Sequence, residues 1–186
     1  MTLVFLLEEP SAEEMLKGLL PRILPDTVER IYTVFEGKQD MEKRLGLILR
    51  GWRKTNCVFV VMRDQDSAQC QIVKNGLLEI CHDANRHNIL VRIACRELES
   101  FYLGDLEAVE ISIGMPGLAK KQNSRKYRTP DSLGSPSKEL ETLTKGRYQK
   151  VSGSRALGPL LKLEGNRSHS FNALLSGIRR VANASQ

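Results

Sequence analysis

The sequence has few aromatic residues, few histidines and no closely spaced pair of cysteines. Aromatic side chains make up 5% of the 186 residues, which argues against recognition of single-stranded nucleic acid by base stacking. The four cysteines form no CxxC pair and the three histidines do not cluster, so we expect no zinc site. We expect instead reduced thiols packed among apolar residues, as in cytoplasmic proteins.

The sequence also lacks a long apolar run. None approaches the roughly 20 residues that cross a bilayer. The first run, at residues 3–7, is followed directly by Glu8 and Glu9 rather than by the small residues of a signal-peptide cleavage site. We therefore expect no membrane partner, and residues 3–7 are predicted to be a buried strand. The chain length favours one domain with an extension.

Acidic and basic residues are divided along the chain. Residues 1–113 contain 14 Lys and Arg against 18 Asp and Glu, a net charge of −4, whereas residues 114–186 contain 14 against 4, a net charge of +10. We predict an α/β domain over residues 1–113 that holds cations. Residues 114–186 are predicted to form a basic loop and a C-terminal helical extension that packs on this domain and meets a nucleic acid. A solvated basic surface without a partner is the alternative.

Short apolar runs alternate with amphipathic segments, which predicts an α/β fold with a mostly parallel four-stranded sheet and helices on both faces. The predicted strands are Leu3–Leu7, Ile31–Phe35, Val58–Met62 and Ile89–Ile93. The main predicted helices are Ala12–Leu20 with Ser11 as its N-cap, Met41–Trp52, Ser67–Asp83 and Ser170–Val181. Residues 120–138, rich in Lys, Arg, Ser and Pro, are predicted to be a long surface loop.

Acidic side chains follow two of these strands. Glu8 and Glu9 come directly after the first strand, and Asp64 and Asp66 follow the third. The carboxyl ends of parallel strands share one sheet edge, where ligands collect, and carboxylates crowded there repel one another unless a cation lies between them. Oxygen ligands without His or Cys favour Mg²⁺ or Mn²⁺. A solvated turn or a helix N-cap at Asp66 or Ser67 is the alternative.

These segments resemble a known family. LLEEPSAEEML resembles the glutamate motif that opens TOPRIM domains, and VVMRDQDS resembles their DxD motif. Together with FEGKQDMEKRL, YQKVSGSRA and NRSHSF, they are similar to an uncharacterised bacterial TOPRIM-type family, grouped as a domain of unknown function and similar to overcoming-lysogenization-defect type nucleases. The resemblance covers nearly the whole chain and implies a TOPRIM, Rossmann-like fold. It also implies magnesium binding and phosphoryl-transfer catalysis for Glu8, Asp64 and Asp66.

The chain departs from the TOPRIM pattern at one position. A TOPRIM glutamate is often followed by Gly, whereas Glu8 is followed by Glu9 and Pro10. Glu9 either adds a metal ligand or points to solvent. A further acid is expected in the segment RELES, where Glu97 and Glu99 would lie about 200° apart on a helix. We favour Glu97 as the metal ligand because it is nearer the fourth strand, with a surface salt bridge as the alternative.

Several basic residues are candidates for contact with a phosphate. Lys74, eight residues after the DxD motif, is either a catalytic cation above the site or a solvated helix residue. Lys150 and Arg155 in KVSGSR and Arg167 in NRSHSF lie beside Ser and Gly, whose backbone donors also bind phosphate. We predict that these three residues bind nucleic acid. His169 is either a general base or inert.

The sequence therefore predicts a metal-dependent phosphodiester hydrolase that acts on DNA or RNA, with Mg²⁺ or Mn²⁺ as cofactor. The resemblance suggests an effector of bacterial anti-phage defence. The alternative is a non-catalytic TOPRIM-like subunit that docks an ABC- or SMC-type ATPase partner. A topoisomerase or primase is not expected, because the sequence has neither a Tyr-bearing cleavage domain nor a zinc finger.

Overall fold

In a computed structural model that describes residues 1–184, the centre of the fold is a sheet of four parallel strands in the spatial order β2-β1-β3-β4. The strands are β1 (Thr2–Leu7), β2 (Glu29–Val34), β3 (Cys57–Asp64) and β4 (Ile89–Ala94). The predicted α/β class and parallel four-stranded sheet are confirmed. The third strand is longer than predicted, so Asp64 is its last residue rather than part of the following turn.

Within residues 1–184, eight α-helices connect and cover the strands. They are α1 (Pro10–Leu19), α2 (Lys38–Gly51), α3 (Cys70–Asp83), α4 (Glu99–Leu103), α5 (Leu106–Ile113), α6 (Pro136–Leu143), α7 (Lys150–Leu157) and α8 (His169–Asn183). The first three alternate with the strands, as crossover connections between parallel strands require, and the other five follow β4. None of the helices in this part of the chain is long and apolar enough to cross a membrane.

The sheet is buried on both faces, because its strands are almost wholly apolar. Alternate residues of a strand point to opposite faces, so Leu3, Phe5 and Leu7 of β1 join one core and Val4 and Leu6 join another. On the first face, these side chains pack with α1 and with α4 to α8; on the second face, they pack with α2 and α3. This burial fixes the strand register and decides which polar residues meet at the strand ends.

The C-terminal helices complete the core of the first face. Leu140 of α6, Leu157 of α7 and Phe171 of α8 have no exposed surface, and they belong to the same core as Phe5 of β1. The helices after residue 114 therefore share one core with the first face of the sheet. The division of the chain at residue 113 stays a prediction.

Three predicted helix starts are wrong. α2 begins at Lys38, three residues earlier than predicted. α1 begins at Pro10 with Glu9 as its N-cap, so Ser11 lies inside the helix, where its hydroxyl donates a hydrogen bond to the Glu9 carboxylate. α3 begins at Cys70, three residues later than predicted. The reason is that Gln69 has an extended backbone, with φ of −76° and ψ of 130°, and is the N-cap residue, so the helix cannot include the residues before it.

The segment 120–138 is not the long loop that its composition predicts. It contains short 3₁₀ turns at Ala119–Asn123, Arg125–Tyr127 and Pro130–Ser132, followed by the start of α6. Tyr127 is buried, and its hydroxyl donates a 2.5 Å hydrogen bond to Glu139 Oε1. The amide of Gln122 donates to the Tyr127 carbonyl oxygen at 3.0 Å. These contacts order a strongly basic segment that has few apolar residues of its own.

The close approach of α7 to α1 generates a test of this packing. A Cβ added to Gly158, at the end of α7, would lie 2.3 Å from the Met15 carbonyl oxygen of α1. We expect Gly158→Ala to lower the free energy of unfolding by about 1–3 kcal/mol, the usual cost of overpacking a core, and to lower the melting temperature in thermal denaturation.

Gly76→Ala is the matched control for this prediction. Gly76 lies inside α3, and an added Cβ there has no atom within 4 Å. Because Ala favours a helix over Gly by about 1 kcal/mol, this variant should melt at or above the temperature of the wild type. Equal stability of the two variants would contradict the close contact between α1 and α7.

Candidate functional site

Carboxylates from two strands meet at the centre of the sheet. The chain passes from β1 to one neighbour, β2, and then crosses to the other neighbour, β3, so the order of the strands reverses between β1 and β3. Ligands bind open α/β sheets at such a switch point, beyond the carboxyl ends of the strands. Glu8 follows β1 and Asp64 ends β3. The backbone N–H of Asp64 donates to Glu8 Oε2 at 2.9 Å, so the structure brings these two predicted residues together.

The Glu8 carboxylate is mostly buried, with 13% of its side chain exposed. Burial raises its pKa, because a charged carboxylate loses hydration there, and the neighbouring charges of Asp66 and Glu9 raise it further. The hydrogen bond from Asp64 and the charge of Arg63, whose Nε lies 3.8 Å from Glu8 Oε2, oppose this shift without cancelling it. The contacts of Glu8 therefore only partly offset the cost of burying its negative charge.

Asp64 points to the first face of the sheet and is buried. Its pKa lies well above the ordinary value, first because of burial and then because of the charges of Glu9, Glu99 and Glu8. Lys150 is the neighbouring charge that opposes this shift. Within residues 1–184, no donor makes a hydrogen bond to the Asp64 carboxylate. A cation beside such a buried carboxylate would strongly stabilise its charged form.

Glu99, the first residue of α4, has no exposed surface. Its Oε1 accepts a 3.0 Å hydrogen bond from the Tyr148 hydroxyl, whereas its Oε2 is buried without a partner among residues 1–184. Burial raises the pKa of Glu99, and the charge of Lys150 and the Tyr148 hydrogen bond only partly offset the effect. Glu99 thus offers an open, buried oxygen beside Asp64.

Lys150 is the cation of this side of the site. It is the first residue of α7, and its Nζ lies 2.5 Å from Glu9 Oε2, with about half of the side chain exposed. Burial lowers the pKa of Lys150, but the hydrogen bond to Glu9 and the charges of Glu9, Glu99 and Asp64 outweigh burial and raise it overall. Lys150 is therefore charged. We call Glu9, Asp64, Glu99 and Lys150 the first-face group.

Buried hydroxyl groups fix the start of α7, which carries Lys150. The Tyr102 hydroxyl donates to Ser154 Oγ at 2.7 Å, and Ser154 Oγ donates to the Lys150 carbonyl oxygen at 2.6 Å. Tyr148, next to Tyr102, donates to Glu99. The backbone of Lys150 is thereby tied to α4, while its ammonium remains accessible.

Asp66 lies on the other side of β3. Its backbone N–H donates to the Arg96 carbonyl oxygen at 2.9 Å, and its Oδ2 lies 3.0 Å from Lys38 Nζ and 3.8 Å from Arg63 Nη2. Arg63 Nη1 also lies 2.6 Å from Glu42 Oε1 on α2. We call Glu8, Arg63, Asp66, Lys38 and Glu42 the second-face group.

The predicted triad of acids is therefore divided between two groups. Alternation along β3 sends Arg63 and Asp64 to opposite faces, and the left-handed turn at Asp66 brings its carboxylate to Lys38. Among residues 1–184, no three His, Cys, Asp or Glu side chains form a group that could hold a metal ion as they stand. The metal-ligand set of Glu8, Asp64, Asp66 and Glu97 stays a prediction.

The short helix expected after the fourth strand is present as α4, but it starts later than expected, which changes the position of the two acids of RELES. Arg96 has a φ of 66°, and α4 begins only at Glu99, so Glu97 lies in a turn. Glu97 Oε2 accepts a 2.6 Å hydrogen bond from the backbone N–H of Ser137, in the first turn of α6. The structure therefore places Glu99, not the favoured Glu97, beside Asp64.

Two other predicted residues, Lys74 and His169, lie apart from both groups. Lys74 lines a cavity of about 270 Å³ together with His169, Cys70, Cys95 and Asp131. None of these residues belongs to the two groups.

Two predicted phosphate contacts have acidic or amide partners. Arg155 of α7 is paired with Glu14 of α1. Arg167 Nη2 donates to Asn123 Oδ1 at 3.2 Å and is exposed. Of the basic residues predicted from sequence, Lys150 is the one whose charge acts on Asp64.

The roles of Arg63, Glu42, Lys38 and Tyr148 are not predicted from the sequence. Arg63 had a detectable signal, because it directly follows the apolar run CVFVVM, at a position where a buried strand can continue. Such a buried charge requires carboxylate partners. Tyr148 and Glu42 had no comparable signal, since each reaches its partner only through the packing of its helix or loop on the sheet.

Comparisons with known proteins agree with this architecture. The chain is similar in structure to the C-terminal region of the Burkholderia pseudomallei OLD protein, with a TM-score of 0.58 and 15% sequence identity over 99% of this chain and 98% of that one. An identity this low shows a shared fold, and the predicted OLD-like fold is confirmed. No curated protein matches the sequence. The family described as Domain of unknown function (DUF4276) matches residues 7–179, which contain both groups. The chain belongs to this family.

Proposed function

We propose that the protein is a metal-dependent phosphodiester hydrolase of the TOPRIM type that acts on DNA or RNA. The observation that carries the proposal is the buried Asp64 carboxylate at the switch point between β1 and β3, which accepts no hydrogen bond from residues 1–184. The OLD-like fold and the sequence resemblance to TOPRIM motifs support the same chemistry.

The chemistry of the donors fits a hard divalent ion. Asp64 offers a buried carboxylate, Glu99 offers a buried oxygen without a partner, and Glu8 extends from the neighbouring strand. Oxygen ligands of this kind suit Mg²⁺ or Mn²⁺. Glu8, Asp64 and Glu99, with Asp66, are the residues that would hold it, after a side-chain rearrangement that unites the two groups. A bound ion would supply an activated water and charge stabilisation for the leaving oxygen.

The protein's own residues contribute binding and charge. Lys150 stays protonated beside the acids and is half exposed, so its ammonium can pair with a substrate phosphate that approaches from solvent. The hydrogen bonds to its backbone hold α7 in place, which fixes the direction of approach. The net charge of +10 over residues 114–186 attracts a polyanionic backbone to this half of the molecule.

A docking subunit for an ATPase partner is the second candidate. It is favoured by exposed apolar side chains on α2 and α3, where Leu47 and Ile72 are 62% and 64% exposed. Apolar surface of this kind is common where proteins associate. A cleavage assay separates the two functions, because a docking subunit would not cleave nucleic acid by itself.

Cleavage is the direct test. We expect the purified chain to cut labelled DNA or RNA with Mg²⁺ or Mn²⁺, and Asp64→Asn to lower the rate by about 100-fold or more, because Asn lacks the charge that holds the ion. Asp26→Asn is the control, since Asp26 is fully exposed and belongs to neither group. Cleavage by Asp64→Asn at the wild-type rate, with chelator still inhibiting the wild type, would place the chemistry elsewhere.

Metal-free stability should depend on pH through Asp64. Its folded pKa is raised above the ordinary 3.8, so the folded state binds the proton more tightly than the unfolded state. The wild type should therefore gain stability as pH falls through the raised folded pKa towards about 4. Asp64→Asn should make this gain smaller and leave the part that comes from Glu8 and Glu99, whose pKa values are also raised, as measured by urea denaturation from about pH 8 to pH 4 in chelator. Equal pH profiles for the two proteins would refute the burial of this charge.

Nucleic-acid affinity should depend on the basic residues. We expect Lys150→Ala and Arg167→Ala each to weaken binding and to reduce the slope of log K against log salt by about 1. Lys54→Ala, at the opposite end of the sheet, is the matched control, because Lys54 precedes β3 and pairs with Glu29. Fluorescence anisotropy over a range of salt concentrations measures both quantities. Identical slopes for all three variants would exclude these contacts.

A further inference from the structure

The second-face group contains a buried cation of its own. Arg63 is 6% exposed, and its guanidinium faces three carboxylates. Nη1 lies 2.6 Å from Glu42 Oε1, Nε lies 3.8 Å from Glu8 Oε2, and Nη2 lies 3.8 Å from Asp66 Oδ2. Nε also donates to the Asp64 carbonyl oxygen at 3.2 Å.

The guanidinium places positive charge beside two carboxylates that a metal ion would need. Glu8 and Asp66 belong to the predicted ligand set, and the charge of Asp66 raises the pKa of Glu8 while that of Arg63 lowers it. A buried charge is stable only when it is paired and hydrogen-bonded. In this arrangement the positive charge of Arg63 lies between the Glu8 and Asp66 carboxylates and reduces their repulsion.

The Arg63 guanidinium lies closer to Glu42 than to Glu8 or Asp66. At 2.6 Å, Glu42 makes a direct charge-assisted hydrogen bond with Arg63. At 3.8 Å, the pairs with Glu8 and Asp66 are electrostatic contacts without a hydrogen bond. Glu42 thus holds the guanidinium on the α2 side. Glu8 Oε2 instead accepts a hydrogen bond from the backbone N–H of Asp64 at 2.9 Å, and Asp66 Oδ2 accepts one from Lys38 Nζ at 3.0 Å.

We propose that Arg63 is an internal competitor of the divalent ion for Glu8 and Asp66, and that Glu42 is the positioning residue that sets the strength of this competition. The inference rests on the proposed metal-dependent function and adds a control of metal affinity to it. Loss of Glu42 would release the guanidinium to Glu8 and Asp66. Loss of the Arg63 charge would remove the competing cation that contacts both acids, with Lys38 still paired to Asp66.

Calorimetric titration of the metal-free protein with Mn²⁺ tests the proposal. At the separations seen here, removing a unit charge should change metal affinity by about tenfold, so Arg63→Met should bind Mn²⁺ about tenfold more tightly than the wild type. Arg63→Lys keeps the charge and should bind close to the wild type. Arg44→Gln is the control for net charge, since Arg44 lies on α2, is half exposed and pairs with Asp40 instead.

Glu42→Gln separates competition from simple attraction. The Glu42 side chain is 52% exposed, so this variant is expected to fold even if Arg63→Met does not. It should bind Mn²⁺ about threefold more weakly than the wild type, and the same change made in Arg63→Met should have less than about a twofold effect. If Glu42 acted only through its own charge, the loss would be equal in both backgrounds.

The outcomes distinguish this inference from the proposed function. If the wild type binds Mn²⁺ and cleaves nucleic acid, but Arg63→Met and Glu42→Gln bind Mn²⁺ as the wild type does, the competition is refuted and the hydrolase stands. If the wild type binds Mn²⁺ without cleavage and the variants shift as expected, the competition stands and the hydrolase is refuted. Absence of Mn²⁺ binding by the wild type overturns both.

Discussion

The mutual repulsion of carboxylates at the carboxyl ends of β1 and β3 is the constraint on which the rest of the site depends. Glu8, Asp64 and Glu99 are buried or nearly so, and burial raises the pKa of each. Low local polarity makes unpaired charge costly. The surrounding structure meets this cost in two ways, with Lys150 on the first face and Arg63 on the second. The backbone N–H of Asp64 adds a third favourable contact, to Glu8.

The C-terminal helices supply one of these compensating charges. α7 brings Lys150 to Glu9, and the buried hydroxyl groups of Tyr102, Tyr148 and Ser154 hold its first turn. The extension is therefore part of the site as well as a basic surface. This explains how a chain with acids before residue 114 and bases after it can assemble both charges at one point.

The sequence predicts the sheet well, because period and burial are local properties. Runs such as VFVVM have one stable environment, a strand covered on both faces. The position of Glu8 beside Asp64 follows from the strand order. Asp66, in contrast, depends on a left-handed turn, and Glu97 depends on a turn at Arg96 where a helix was expected. Such turns are set by contacts with distant segments, including the hydrogen bond from Asp66 to Arg96, so local patterns do not contain them.

The contacts of α7 also bear on the order in which the molecule can assemble during synthesis. Arg155 pairs with Glu14 across 141 positions of the chain, and Tyr148 reaches Glu99 across 49. Contacts between distant positions form late, because a long loop must close first. The parallel sheet can pair once β4 has emerged from the ribosome, but the acids on its first face stay open to water until α7 follows. A nascent chain therefore has its strands before it has an enclosed site.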